Sequence, residues 1–176
     1  MLLERLFRSR PSRIAGGLLY ALAVEQSRNP MLYRDLATPD TVEGRFEVYS
    51  LHVVLILERL RSCGAQSADV SQALFDTYVK GLDNALREMG VGDLSVGRKM
   101  RKLGEAFYGR GKSYEAAFAT LPDLTLLQQL LVRTVYADVE NPPVGRLTDY
   151  VLAQRRKLAD QPFERLLAGE VEWAHL

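Results

Sequence analysis

One segment constrains the fold of this chain more than any other: Leu36–Leu60, LATPDTVEGRFEVYSLHVVLILERL. A turn containing Pro39 and Gly44 runs straight into a long stretch that is apolar almost all round. A helix of that composition belongs at the centre of a domain, because every side of it needs an apolar neighbour. It carries one polar stripe. Arg45, His52 and Arg59 stand at i, i+7 and i+14, which places them within about 40° of one another on a helix of 3.6 residues per turn. A stripe of this kind either keeps its charged ends in water at one edge of a core or presents a site. The other charges nearby, Asp40, Glu43, Glu47 and Glu58, also allow the first reading, in which edge charges pair with neighbouring helices.

The rest of the chain reads as helix after helix. Arginines 5, 8, 10 and 13 precede an apolar run, IAGGLLYALAV, and Ala21-Leu22-Ala23 has the look of a cleavage box. That is the outline of a secretory signal. The run is short, however, and continues without a break into Glu25, Gln26 and Arg28, as an amphipathic helix does. The expectation is a first helix over residues 12–28, stopped at Asn29-Pro30 by the restriction proline places on the residue before it. Asp40 or Thr41 is placed to cap a helix over 42–62. A helix from Ser67 or Asp69 follows to Met89, with Gly90 at its C-terminal turn. Ser95 is the expected cap of the next, which bends or breaks at Gly109-Arg110-Gly111. Leu121-Pro122-Asp123 opens another, Asn141-Pro142-Pro143 is a stop, and helical patches follow at 146–158 and 162–168. Period-two runs of β-branched residues are missing from the sequence. The expected class is all-α, a single compact domain over 1–176 with a helical extension from about 121 that either docks over a groove or packs against a second copy.

Composition excludes several functions. With a net charge of +1, binding to nucleic acid or membrane has to come from a local patch. Cys63 is the only cysteine, and with two histidines it cannot supply the usual four ligands of a zinc site. The glycines at 90, 92 and 97 follow no strand and precede no Gly-Lys-Ser/Thr, so they make no phosphate loop. Ser50 and Cys63 have no identifiable base partner. No segment reaches the roughly 18 apolar residues of a membrane span. The expectation is a soluble, cytoplasmic, non-catalytic protein with no cofactor, whose membrane contact, if any, is peripheral at the inner face.

The clearest charge feature is Arg98, Lys99, Arg101, Lys102, Arg110 and Lys112, opposed by Glu105 alone and interleaved with Phe107, Tyr108 and Tyr114. It reads either as a solvated helix face or as a surface for an anionic partner: lipid head groups, ribosomal RNA or an acidic protein. No groove-reading motif accompanies it, so sequence-specific DNA binding is not expected.

Three pieces, in order, resemble the ubiquinol–cytochrome c chaperone family. They are LYALAVEQSRNPMLY (Leu19–Tyr33), TPDTVEGRFE followed by LH and RL (Thr38–Leu60), and LREMGVGDLSVGRKMRKLGEAFYGR (Leu86–Arg110). The likeness spans roughly residues 19–118 and adds little after Leu121. The positions that carry it are Tyr20, Arg28, Asp40, Gly44, Arg45, Phe46, His52, Asp93, Gly97, Lys102, Phe107, Tyr108, Gly109 and Arg110. The resemblance implies an all-helical assembly factor for respiratory complex III that attends cytochrome b, in a bacterial form. It also implies work beside the ribosome and inner membrane, with a small partner protein.

Two sets of candidate residues follow. Asp40, Arg45, His52, Arg59, Asp93, Tyr108 and Arg110 are the candidates for binding cytochrome b, another complex III subunit or a small partner protein. Arg98, Lys99, Arg101, Lys102 and Lys112 are the candidates for an anionic membrane or ribosome. The competing class is a membrane-peripheral enzyme of lipid or quinone metabolism. It requires His52 to face a closed apolar cavity beside a carboxylate.

Overall fold

The computed structural model describes residues 10–175. The order of elements is α1 (Arg10–Ser27), α2 (Pro30–Arg34), α3 (Val42–Arg61), a 3-10 turn (Gly64–Ser67), α4 (Ala68–Glu88), α5 (Asp93–Ala119), α6 (Thr125–Thr134), α7 (Val144–Ala159) and α8 (Phe163–Leu167). No strand occurs among the described residues. Arg5 and Arg8, the start of the signal-like outline, lie outside them. Ala21-Leu22-Ala23 sits inside α1, and Ala23 is fully buried.

The apolar helix is central, as its composition requires. α3 touches α1, α4, α5 and α7, and Leu51, Val53, Leu55, Ile56 and Leu60 are all fully buried. Burying five such side chains contributes on the order of 10 kcal/mol before chain entropy is charged. Its entry is built by the Thr38–Glu47 motif. Thr41 Oγ1 accepts a hydrogen bond from the Gly44 N–H at 3.0 Å and so caps the helix. Thr38 Oγ1 donates to the Leu32 carbonyl at 2.8 Å, which anchors the turn to α2. Gly44 is needed for space: a Cβ there would lie 2.2 Å from the Pro39 carbonyl oxygen.

α5 differs from expectation in two ways. It begins at Asp93, with Gly92 as the N-cap residue, so Ser95 lies in its first turn and is not the cap. It also runs unbroken through Gly109-Arg110-Gly111. Phe107, Tyr114, Ala117 and Phe118 are buried at helical spacing on both sides of the two glycines, and that packing outweighs about 1 kcal/mol of lost helix propensity at each glycine.

The C-terminal segment packs against its own domain. Leu147, Tyr150, Val151 and Leu158 of α7 are buried in the same core as α3. Two buried glutamines of this region hold the last residues. Gln154 donates to the Ala174 carbonyl (3.1 Å) and accepts from the Ala174 N–H (2.7 Å); Gln161 does the same with Glu172 (2.8 and 2.7 Å). Each side-chain amide thus acts as a strand-like partner for the N–H and C=O of one residue of the tail, and satisfies its own buried polar atoms in doing so.

Candidate functional site

The three residues of the α3 stripe meet three different surroundings. His52 is fully buried. Its Nδ1–H donates to the Val48 carbonyl (2.7 Å), so Nε2 accepts from the Tyr150 hydroxyl (2.6 Å), which in turn accepts from Gln26 Nε2 (2.9 Å). Burial pulls its pKa down to about 4, against the raising influence of the Val48 carbonyl. Trp173 of the tail stacks edge-on against the ring at 5.2 Å. Both ring nitrogens are occupied and neither partner is a carboxylate, so the arrangement that a peripheral enzyme requires is not present at His52. Arg59 donates to the carbonyls of Leu158 and Gln161, both at 3.0 Å. It ties α3 to the carbonyl end of α7, where a cation is favoured. Arg45 is exposed, pairs with Asp40 at 2.5 Å, and lies over the Tyr33 ring at 5.2 Å.

Arg45 stands at the rim of a 520 Å³ cleft between α1, α3 and α4, closed on one side by Leu103 of α5. Tyr20, Phe46, Tyr49 and Leu82 form its apolar wall, and Val42 and Met89 are largely exposed at its edges. Arg28 and Glu88 complete the rim. From the wall an aromatic series runs into the core. Tyr20 meets Tyr49 edge-on at 6.0 Å, Tyr49 lies 4.9 Å from Tyr78, and Tyr78 lies 4.5 Å from Phe107 of α5. Gly81 of α4 makes room for the first ring, since a Cβ there would stand 2.0 Å from the Tyr20 hydroxyl. Tyr78 shares a hydrogen bond with Ser50 (2.8 Å), but the buried Tyr49 hydroxyl has no partner among the described residues. Burial, then the neighbouring Tyr20 hydroxyl, raises the Tyr49 pKa and keeps it un-ionised. Such a cleft can take the apolar face of a helix, with a few side chains at i, i+3 and i+4 spacing.

The basic segment divides. Arg110 is drawn inward, where it makes a two-pronged, half-buried pair with Glu47 of α3 (2.9 and 2.7 Å). That corrects its placement in a free patch: Phe107 and Tyr114 turn this part of α5 toward α3. Arg98, Lys99, Arg101 and Lys102 are exposed, and none has an ion pair among the described residues. Lys112 is exposed too and sits 4.7 Å above the Tyr108 ring, beside a smaller 310 Å³ cleft between α3 and α5. Asp93 is exposed and accepts from Arg87, which also holds Asp83 at 2.7 Å. Arg45 is therefore the candidate that lines the cleft, with Asp40 paired to it; His52 and Arg59 serve the core, and Asp93, Tyr108 and Arg110 lie elsewhere. Sequence reasoning passed over Tyr33, Tyr49 and Met89 as site residues. Tyr49 stands one turn after Arg45, but a tyrosine in an apolar helix reads as core.

Cleft and core together define an all-helical binding protein. The ubiquinol–cytochrome C chaperone family model matches residues 34–173, and the chain belongs to that family; it is a chaperone-type protein, not an enzyme. The match runs on through α6, α7 and the tail, where the motifs add little. The chain is 25% identical over 167 residues to ubiquinol-cytochrome-c reductase complex assembly factor 1 of Xenopus laevis, covering 93% of this chain and 82% of that protein. The crystal structure of the Cbp3 homolog from Brucella abortus superposes with a TM-score of 0.84 at 33% identity, over 99% of this chain and 97% of that one.

Proposed function

We propose that this chain is an assembly factor for complex III that shelters an apolar segment of cytochrome b, or of another complex III subunit, in the cleft between α1, α3 and α4. The open apolar wall with a charged rim carries this reading, because it offers a client helix an apolar bed and polar contacts at its margins. A membrane subunit awaiting its partners exposes apolar surface that drives aggregation, and covering that surface is the work of a chaperone. The chaperone family and the assembly-factor relative support the client class. The outer face of α5 points away from the cleft and is the surface for an anionic partner. No helix among the described residues is long and apolar enough to cross a membrane, so contact with a bilayer would be peripheral.

Deleting the protein from its native cell should lower assembled complex III and cytochrome b while sparing the other respiratory complexes. Native gels and haem spectra measure this. A photocrosslinker at Leu82 or Met89 should capture a complex III subunit, and one at the buried Leu147 should not. Normal complex III in the deletion strain would sink the reading.

A further inference from the structure

The outward face of α5 carries more than charge. Leu94, Arg98, Arg101, Glu105, Tyr108 and Lys112 follow one another at i, i+4, i+7, i+11, i+14 and i+18, which puts all six within about 40° of one line along the helix. Leu94 is 98% exposed and Tyr108 is 66% exposed. The opposite face, with Met100, Leu103 and Phe107, is packed against the core, and Val96 on it is buried, so the helix cannot rotate to hide these side chains. A leucine left almost wholly in water amid unpaired cations has no role in the packing of this domain.

We propose that α5 lies in the plane of an anionic lipid bilayer, with Leu94 dipping into the acyl boundary. Tyr108 sits at head-group level, and Arg98, Arg101, Lys102 and Lys112 meet lipid phosphates. The inference rests on the reading of α5 as the face toward an anionic surface, and it names that surface. The chemistry separates lipid from RNA. Cations and a tyrosine suit either, but RNA gives the exposed leucine nothing to bury against, whereas a membrane interface takes aliphatic, aromatic and basic side chains together. With so little apolar area, attachment needs both contributions, so it is reversible and sensitive to salt.

Flotation of the full chain with phosphatidylcholine vesicles, with and without phosphatidylglycerol, tests it. The wild type should float only with the anionic vesicles and at low salt. Arg98→Gln with Arg101→Gln should weaken partitioning by about fivefold per cation removed, and Leu94→Ser by about tenfold. All these positions are exposed, so helical circular dichroism should match the wild type. In a Leu94→Trp chain, emission should shift to the blue on adding anionic vesicles and be quenched by lipids brominated in the acyl chain. Absence of flotation at low salt would overturn the proposal. So would salt-sensitive binding to a homopolymeric RNA without flotation, or flotation that ignores Leu94→Ser and leaves Leu94→Trp unshifted. The vesicles hold no complex III subunit, so failure here leaves the assembly reading standing, and normal complex III in the deletion strain sinks that reading alone.

Discussion

Tyr150 and Tyr49 both bury a hydroxyl against α3, with opposite outcomes. Tyr150 closes a chain of three hydrogen bonds, from Gln26 through its own hydroxyl and His52 to the Val48 carbonyl. Every polar atom in that chain has a use, and the cluster joins α1, α3 and α7. The Tyr49 hydroxyl, on the side of α3 that faces the cleft, has no partner among the described residues. A buried polar atom left unpaired costs about 1–3 kcal/mol. The Trp173 indole N–H, beside His52, is unpaired among the described residues too, so a lone unpaired atom does not separate the two sides. What separates them is the hydrogen-bonded chain that ties α7 to α3, against the exposed apolar wall of the cleft that no described residue covers.

The strongest way to break this contrast is pH. His52 is held at about 4, against an ordinary 6.5, by burial. Between those values the unfolded chain binds a proton that the folded chain does not, so stability rises with pH across the window. The contribution is complete above about 6.5 and falls away as pH drops toward 4, by about 3 kcal/mol. Urea unfolding of the wild type across this range should show that loss, and His52→Gln should flatten the slope. Equal slopes would place the acid sensitivity in other groups. Next in size is Tyr150→Phe, which strands His52 Nε2 and the Gln26 amide and should cost about 2 kcal/mol. The smallest effect sharpens the comparison. Tyr49→Phe removes a hydroxyl that has no partner among the described residues, so stability should not fall and should rise by about 1 kcal/mol, the low end of that cost. A loss as large as that of Tyr150→Phe would mean that the Tyr49 hydroxyl is satisfied, and the two sides of α3 would not differ.

Much of the frame was legible in the chain. The centrality of α3 followed from its apolar circumference, its entry from the Pro39–Gly44 turn with Asp40 or Thr41 as the cap, and the family from three ordered motifs. The Arg45, His52 and Arg59 stripe was visible as a line, but its meaning was not. The partners that decide it are Tyr150, Leu158 and Gln161, about a hundred positions further along. Spacing along one helix says which residues share a face, and nothing about what that face meets. Arg110 shows the same limit: among six cations it looked like its neighbours, until Glu47 of α3 singled it out. The unbroken course of α5 through two glycines escaped local reasoning too, because the aromatic contacts that hold it come from other helices.

By itself, then, the sequence determined the helical class, the central helix, the choice of Asp40 or Thr41 as the cap at its start, and the kinship, since each depends on local periodicity or ordered motifs. Tertiary structure alone decided that His52 is a neutral core residue, that Arg59 and Arg110 are internal ties, and that the cleft opens beside Tyr49. Charge state and accessibility are set by what comes within a few ångströms in space, and in this chain those neighbours arrive from remote helices.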